Sequence, residues 1–107
     1  MKVFNKKDII EQVAARTDKE FDIVSNVTDE VFNTLREIIT GDDIELRIEI
    51  RDFGVFEVKK TNPRPKARNP KSKEIVNVPA RRKTHFKPGK RLRKALQAPI
   101  NPLEGKQ

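Results

Sequence analysis

The sequence predicts an α+β fold. It comprises an N-terminal helical hairpin, a three-stranded antiparallel sheet with a long β-ribbon arm, and a short C-terminal helix. Three changes of pattern along the chain predict it. Up to residue 40, apolar residues recur every three to four positions. From Ile44 to Ile50 they alternate with charged residues. From Lys59 to Lys73 the only apolar side chain outside proline is Ala67. Residues 1–97 are read as a single domain with the arm at about 61–80, and residues 98–107 as a flexible tail.

Each element has its own local reason. Asn5 suits a helix N-cap, and Asp8 stands where its carboxylate can answer the first free N–H groups. Ile9, Ile10, Val13 and Ala14 follow at helical spacing, which predicts a helix over 5–16. Asp18 is expected to cap a second helix over 19–40, with Glu20 in its first turn and Gly41 as its stop. Its apolar stripe runs through Phe21, Val24, Val27 or Thr28, Val31, Leu35, Ile38 and Ile39. Ile23 and Phe32 lie off that stripe. They mark either a wide core face or a second face that needs a partner chain.

Ile44, Leu46, Ile48 and Ile50 form one face of a strand, with Glu45, Arg47, Glu49 and Arg51 on the other. Asp52-Phe53-Gly54 is the turn of a hairpin, and residues 55–60 are its second strand. Residues 61–80 read as a two-stranded ribbon with its turn near Asn69 to Lys73; the rival reading is a disordered basic loop. Prolines are tolerated in a ribbon because every strand in it is an edge. Arg81 to Phe86 return to the sheet. Pro88 is expected to open the last helix, with Lys87 near its N-cap and Leu92, Ala95 and Leu96 on its apolar face.

Charge is distributed unevenly. Residues 1–50 carry 7 Lys/Arg and 12 Asp/Glu, and residues 51–107 carry 17 and 4. Between Lys59 and Lys94 there are 15 cations and one acid, Glu74. A solvated surface mixes signs, so this run points to a polyanionic partner, most simply nucleic acid. Cations in the first turn of the last helix oppose its dipole, which makes sense if they and the free N–H groups share a phosphate.

Other function classes are poorly served. There is no cysteine and one histidine, His85. No thiolate site, metal-ligand spacing or catalytic constellation can be assembled, so neither an enzyme nor a cofactor is expected. No apolar run approaches the roughly 18 residues of a membrane span. Without the ribbon and tail only about 75 residues remain to build a core, a marginal size for one chain. A helical hairpin on three strands also leaves one helix face uncovered, so a twofold dimer with two basic arms is expected.

At Asp52-Phe53-Gly54-Val55-Phe56, Arg68-Asn69-Pro70 and His85-Phe86-Lys87-Pro88-Gly89-Lys90-Arg91-Leu92, the sequence resembles the bacterial HU/integration host factor family. The resemblance spans roughly residues 3–96. It implies an intertwined dimer whose two arms enter the DNA minor groove, where a proline at each tip wedges between base pairs. On that basis Pro70 is the wedge, with Arg68 and Asn69 beside it in the groove. Arg64, Lys66, Lys71 and Lys73 would track the phosphates and groove walls of the DNA, together with Arg81, Arg82 and Lys83. Lys87, Lys90 and Arg91 would hold DNA along the body. The implied partner is double-stranded DNA, preferably bent, nicked or flexible, and the implied location is the cytoplasmic nucleoid. Homodimer and heterodimer with a paralogue both stay open.

The chain departs from the family pattern in several places. Arg-Asn-Pro is followed by Lys71-Ser72-Lys73-Glu74, with no glycine where Thr-Gly is usual. Asp52 stands where glycine is common, and about four extra residues lie between Gly41 and Phe53. An RNA-binding or ribosomal protein with a basic extension is the alternative. Such proteins commonly stack bases on aromatic side chains, and the basic stretch here offers only Phe86.

Overall fold

The computed structural model describes residues 1–100. Residues 101–107 of the expected tail lie outside the described residues. The chain divides into two compact units, residues 1–41 and residues 42 onward.

The first unit is two helices, α1 (Lys6–Thr17) and α2 (Phe21–Thr40). Helix α1 opens on a reciprocal capping box. The Asn5 side chain accepts from the Asp8 N–H at 3.0 Å, and Asp8 Oδ2 accepts from the Asn5 N–H at 2.9 Å. Asp18 corrects the expected second N-cap. It ends α1 in the left-handed region at φ 53°, with its N–H donated to the Ala14 carbonyl. The N-cap of α2 is Glu20, in extended conformation and without a side-chain capping bond. A short polar side chain suits either role, and the αL turn at Asp18 is what reverses the chain.

Ile10 and Val24 are buried, and Lys6 Nζ bridges Asp29 Oδ1 at 2.6 Å. Most of the α2 stripe is nevertheless open to solvent. Val27 is 60% exposed, Val31 52% and Ile38 44%, alongside the off-stripe Ile23 and Phe32. The uncovered surface is therefore larger than the two off-stripe residues alone had suggested.

The second unit holds a three-stranded sheet in the order β1 (Leu46–Ile50), β2 (Gly54–Lys60), β5 (Arg82–Pro88), all antiparallel. It begins two residues later than the Ile44 start expected from alternation. Opposite the missing rung, the Lys60 N–H is taken by Glu45 Oε2 at 3.3 Å, so a side chain stands in for the ladder. Register separates the two faces. Leu46, Ile48, Phe56, Val58 and Phe86 lie on one; Arg47, Glu49, Glu57, Lys59, Lys83, His85 and Lys87 lie on the other.

Phe86 sits opposite Phe56, with ring centroids 4.8 Å apart, and its ring is 5.4 Å from that of Phe53. Gly54 is required beneath it: a Cβ there would lie 2.7 Å from the Phe86 ring and 2.5 Å from the Lys87 carbonyl oxygen. Asp52 supplies the positive φ of the hairpin turn, at 63°.

The ribbon is a separate two-stranded sheet, β3 (Arg64–Arg68) with β4 (Ile75–Val78). Helix α3 (Lys90–Gln97) closes the described fold. Its N-cap is Gly89, so the expectation that Pro88 occupies the first helical position is corrected. Pro88 is the last residue of β5, opposite Gly54. The Gly89 N–H donates to the Phe53 carbonyl at 2.8 Å, and this contact holds the strand end one residue further along. On α3, Leu92 is half-buried and Leu96 is 75% exposed.

Candidate nucleic-acid interface

The ribbon leaves the sheet through a two-bond clasp. The Thr61 N–H donates to the Arg81 carbonyl at 2.7 Å, and the Arg81 N–H donates to Thr61 Oγ1 at 2.8 Å. Around this root, Lys60, Arg64, Arg81, Arg82 and Lys83 line one concave groove. Arg82 is partly committed to the body, because its guanidinium donates to the Asp43 carbonyl at 2.9 Å.

Along the ribbon, Arg64, Lys66 and Arg68 are exposed on β3. The pairing shifts by one residue between Arg64 and Ala67. Pro65 lies in that interval and has no N–H to give to a ladder, which suits it to a bulge. A bulge also twists an edge away from further pairing.

The tip closes without glycine. The Lys73 N–H donates to the Asn69 carbonyl at 2.7 Å, and the Asn69 N–H donates to the Glu74 carbonyl at 2.8 Å. Inside this loop Asn69 Oδ1 accepts from the Lys71 N–H at 2.9 Å and the Ser72 N–H at 3.4 Å. Lys73 takes the left-handed conformation, φ 60°, that glycine would take at less cost. The strain of a non-glycine residue there is on the order of 1 kcal/mol. Pro70 is exposed at the turn. Its ring fixes φ and biases Asn69 before it toward extended backbone, so both residues are pre-set for this geometry.

On the body, Lys83, His85 and Lys87 stand on the charged face of the sheet, and Lys90 and Arg91 open α3, all exposed. Lys87 carries a partner that the sequence reading missed. Glu57 is 5% exposed, and its Oε1 lies 2.8 Å from Lys87 Nζ, with Lys59 Nζ 3.7 Å from Oε2. The Lys87 hydrogen bond holds the Glu57 carboxyl below its ordinary value. Lys59, Lys87 and Arg47 add to that through their charge, against a burial that alone would raise it. The signal available in sequence was the lone acid at Val55-Phe56-Glu57-Val58-Lys59, in phase with the polar face.

The predicted side chains thus fall into three groups: a tip with Arg68, Asn69, Pro70, Lys71 and Lys73, a root with Arg64, Arg81, Arg82 and Lys83, and a body set with Lys87, Lys90 and Arg91. Lys66 lies between tip and root. No group of three His, Cys, Asp or Glu side chains suited to a metal ion occurs among the described residues. No helix among them is long and apolar enough to cross a membrane.

An exposed basic ribbon beside a basic sheet face suits a polyanionic ligand, and comparison with known proteins narrows the class to DNA-binding proteins. Residues 4–97 match the family described as bacterial DNA-binding protein. Among curated relatives, DNA-binding protein HU 1 of Bacillus subtilis is 34% identical over 86% of this chain and 96% of its own. Integration host factor subunit beta of Cupriavidus pinatubonensis is 37% identical over 94% of this chain and 71% of its own. An Anabaena HU–DNA cocrystal structure superposes with a TM-score of 0.76 at 27% identity, covering 90% of this chain and all of that one.

The chain belongs to the bacterial DNA-binding protein family of HU and integration host factor, and its members are not enzymes. None of these matches supports the RNA-binding or ribosomal alternative.

Proposed function

We propose that this protein is an architectural DNA-binding protein that bends and compacts duplex DNA, with the ribbon in the minor groove and Pro70 as the wedge. The observation that carries this is the ribbon itself. It offers exposed Arg64, Lys66, Arg68, Lys71 and Lys73, and it ends on an exposed proline. Cations on a ribbon neutralise phosphates and release counterions, so affinity falls steeply with salt. An apolar wedge unstacks a base step at a cost of a few kcal/mol, and the bend offsets it by bringing DNA onto the flanks. Lys83, Lys87, Lys90 and Arg91 supply those flanks.

The working form in this reading is a dimer. The apolar surface left open on α2 at Val27, Val31, Phe32 and Ile38 is what a second copy would cover. Two copies would also provide two arms, and residues 1–97 act as one DNA-binding domain within each. A homodimer is the simpler form. The likeness to an integration host factor subunit beta favours a second reading, pairing with a paralogue. The protein works at the nucleoid in the cytoplasm.

The test is a gel-shift series on linear, nicked and pre-bent duplexes across a salt gradient. Tighter binding to nicked and pre-bent DNA, with a steep salt slope, is expected. Equal affinity for all three duplexes would reduce the protein to a generic polycation. Light scattering of the purified chain at micromolar concentration is expected to give twice the chain mass, and a monomeric mass would overturn the dimer.

A further inference from the structure

The Asn69 side chain faces two ways, and the two ends have different work. Two backbone N–H groups, those of Lys71 and Ser72, converge on one side-chain atom. That atom has to be the acceptor oxygen, because the amide NH2 placed there would set donor against donor. Oδ1 is therefore engaged inside the tip. Nδ2 makes no hydrogen bond among the described residues, so it is the part of the side chain left for an external ligand.

Two backbone bonds close the tip, from the Lys73 N–H to the Asn69 carbonyl and from the Asn69 N–H to the Glu74 carbonyl, and Oδ1 adds the side-chain brace within it. The tip lacks glycine, and it turns through Lys73 at a positive φ. Ser72 Oγ adds only a long acceptor contact, 3.4 Å from the Glu74 N–H. Between Asn69 and Lys73 the loop holds Pro70, Lys71 and Ser72. Pro70 has no N–H with which to brace itself. Its direction is set by the residue before it and the two after it, and these are the three residues that Oδ1 ties together.

We infer that Asn69 is the positioning residue of the wedge: its Oδ1 holds the Lys71 and Ser72 amides so that Pro70 projects from the tip, and it does not act chiefly by reading bases. This rests on Pro70 being the wedge, as proposed above. It adds a role inside the tip to the place beside Pro70 in the groove that the family resemblance implied for Asn69. In a tip with the usual Thr-Gly, glycine would supply the turn without strain. Here the side chain of Asn69 has to hold a conformation that Lys73 resists.

Three variants separate the roles, read by the bend of an end-labelled nicked duplex at saturating protein and by affinity measured alongside. Asn69→Ala removes both ends of the side chain. Asn69→Asp keeps an acceptor at the position of Oδ1 and removes the NH2 donor. Pro70→Ala is the reference for a lost wedge. The expected result is that Asn69→Ala loses most of the bend, approaching Pro70→Ala. Asn69→Asp should bend DNA like the parent once saturated, although its added negative charge weakens affinity. In the free protein, the Lys71 and Ser72 amides should exchange with solvent faster in Asn69→Ala than in the parent, with protection restored in Asn69→Asp.

If Pro70→Ala loses the bend while Asn69→Ala keeps it, the positioning role is wrong and the wedge stands. If Asn69→Ala and Asn69→Asp both lose the bend, Nδ2 acts on the DNA directly and the positioning role is again wrong. A parental bend from Pro70→Ala would overturn the wedge and the positioning role together.

Discussion

In the three-stranded sheet, each rung has a reason to stay where it is. Phe56 meets Phe86 across β2 and β5, Gly54 clears space for the Phe86 ring, and Glu57 lies buried under Lys87 and Lys59. In the ribbon, β3 and β4 pair through an irregular ladder, no side chain is buried, and the tip is held by backbone amides on Asn69. The first sheet shows how few residues a small unit needs when they interlock. The second shows a segment whose shape follows from local turn chemistry and the clasp at its root. A ribbon of this kind should open locally at low free-energy cost and become ordered against a ligand. Stability and DNA binding should therefore respond to different residues.

The largest expected effect is on the sheet. Phe86→Ala removes the ring shared by Phe53 and Phe56 and should cost about 3 kcal/mol of stability, read by urea or thermal unfolding at fixed protein concentration. A change near zero would mean that the sheet is no better interlocked than the ribbon. Gly54→Ala should follow at about 1–3 kcal/mol, because the added Cβ meets the Lys87 carbonyl and the Phe86 ring. Unfolding midpoints again decide, and a silent Gly54→Ala would show that the hairpin yields easily.

A smaller effect depends on pH. The Glu57 carboxyl is lowered by its Lys87 hydrogen bond, so the folded state binds that proton less readily than the unfolded state. Its contribution is complete above the ordinary glutamate value and is lost as pH falls through the lowered one. Urea midpoints of the parent and Glu57→Gln should therefore differ near neutrality and converge in acid. A constant difference across that range would assign the effect to packing.

The smallest effect on stability belongs to the ribbon. Lys71→Ala should change the unfolding midpoint by less than about 0.5 kcal/mol. It should also lower the salt slope of DNA binding by about one. Loss of stability without a change of slope would reverse the contrast between the sheets.

Much of this arrangement was legible in the residues. Period carried the helices and the hairpin, and the loss of apolar residues after Lys59 carried the ribbon. What was missed was decided partly by contacts distant in sequence and partly by local choices that the residues leave open. Asp18 has the chemistry for either end of a helix, and composition does not choose between them. Pro88 suits a strand end as well as a helix start, and the Gly89 bond to Phe53 decides. Glu57 looked like one polar residue in an alternating strand; its burial depends on the register that sets β5 beside it. The turn chemistry of Asn69 was the most local of these features. An Asn before Pro, whose side chain can accept from the amide two residues on, is a recognisable turn signal.

The wedge at Pro70 is tested most directly by the bend of a nicked duplex, measured by energy transfer between its ends, with parent and Pro70→Ala at matched saturation. Pro70→Ala should still bind with a steep salt slope, through its intact cations, but leave the duplex markedly straighter. A duplex bent equally by both proteins would contradict the wedge.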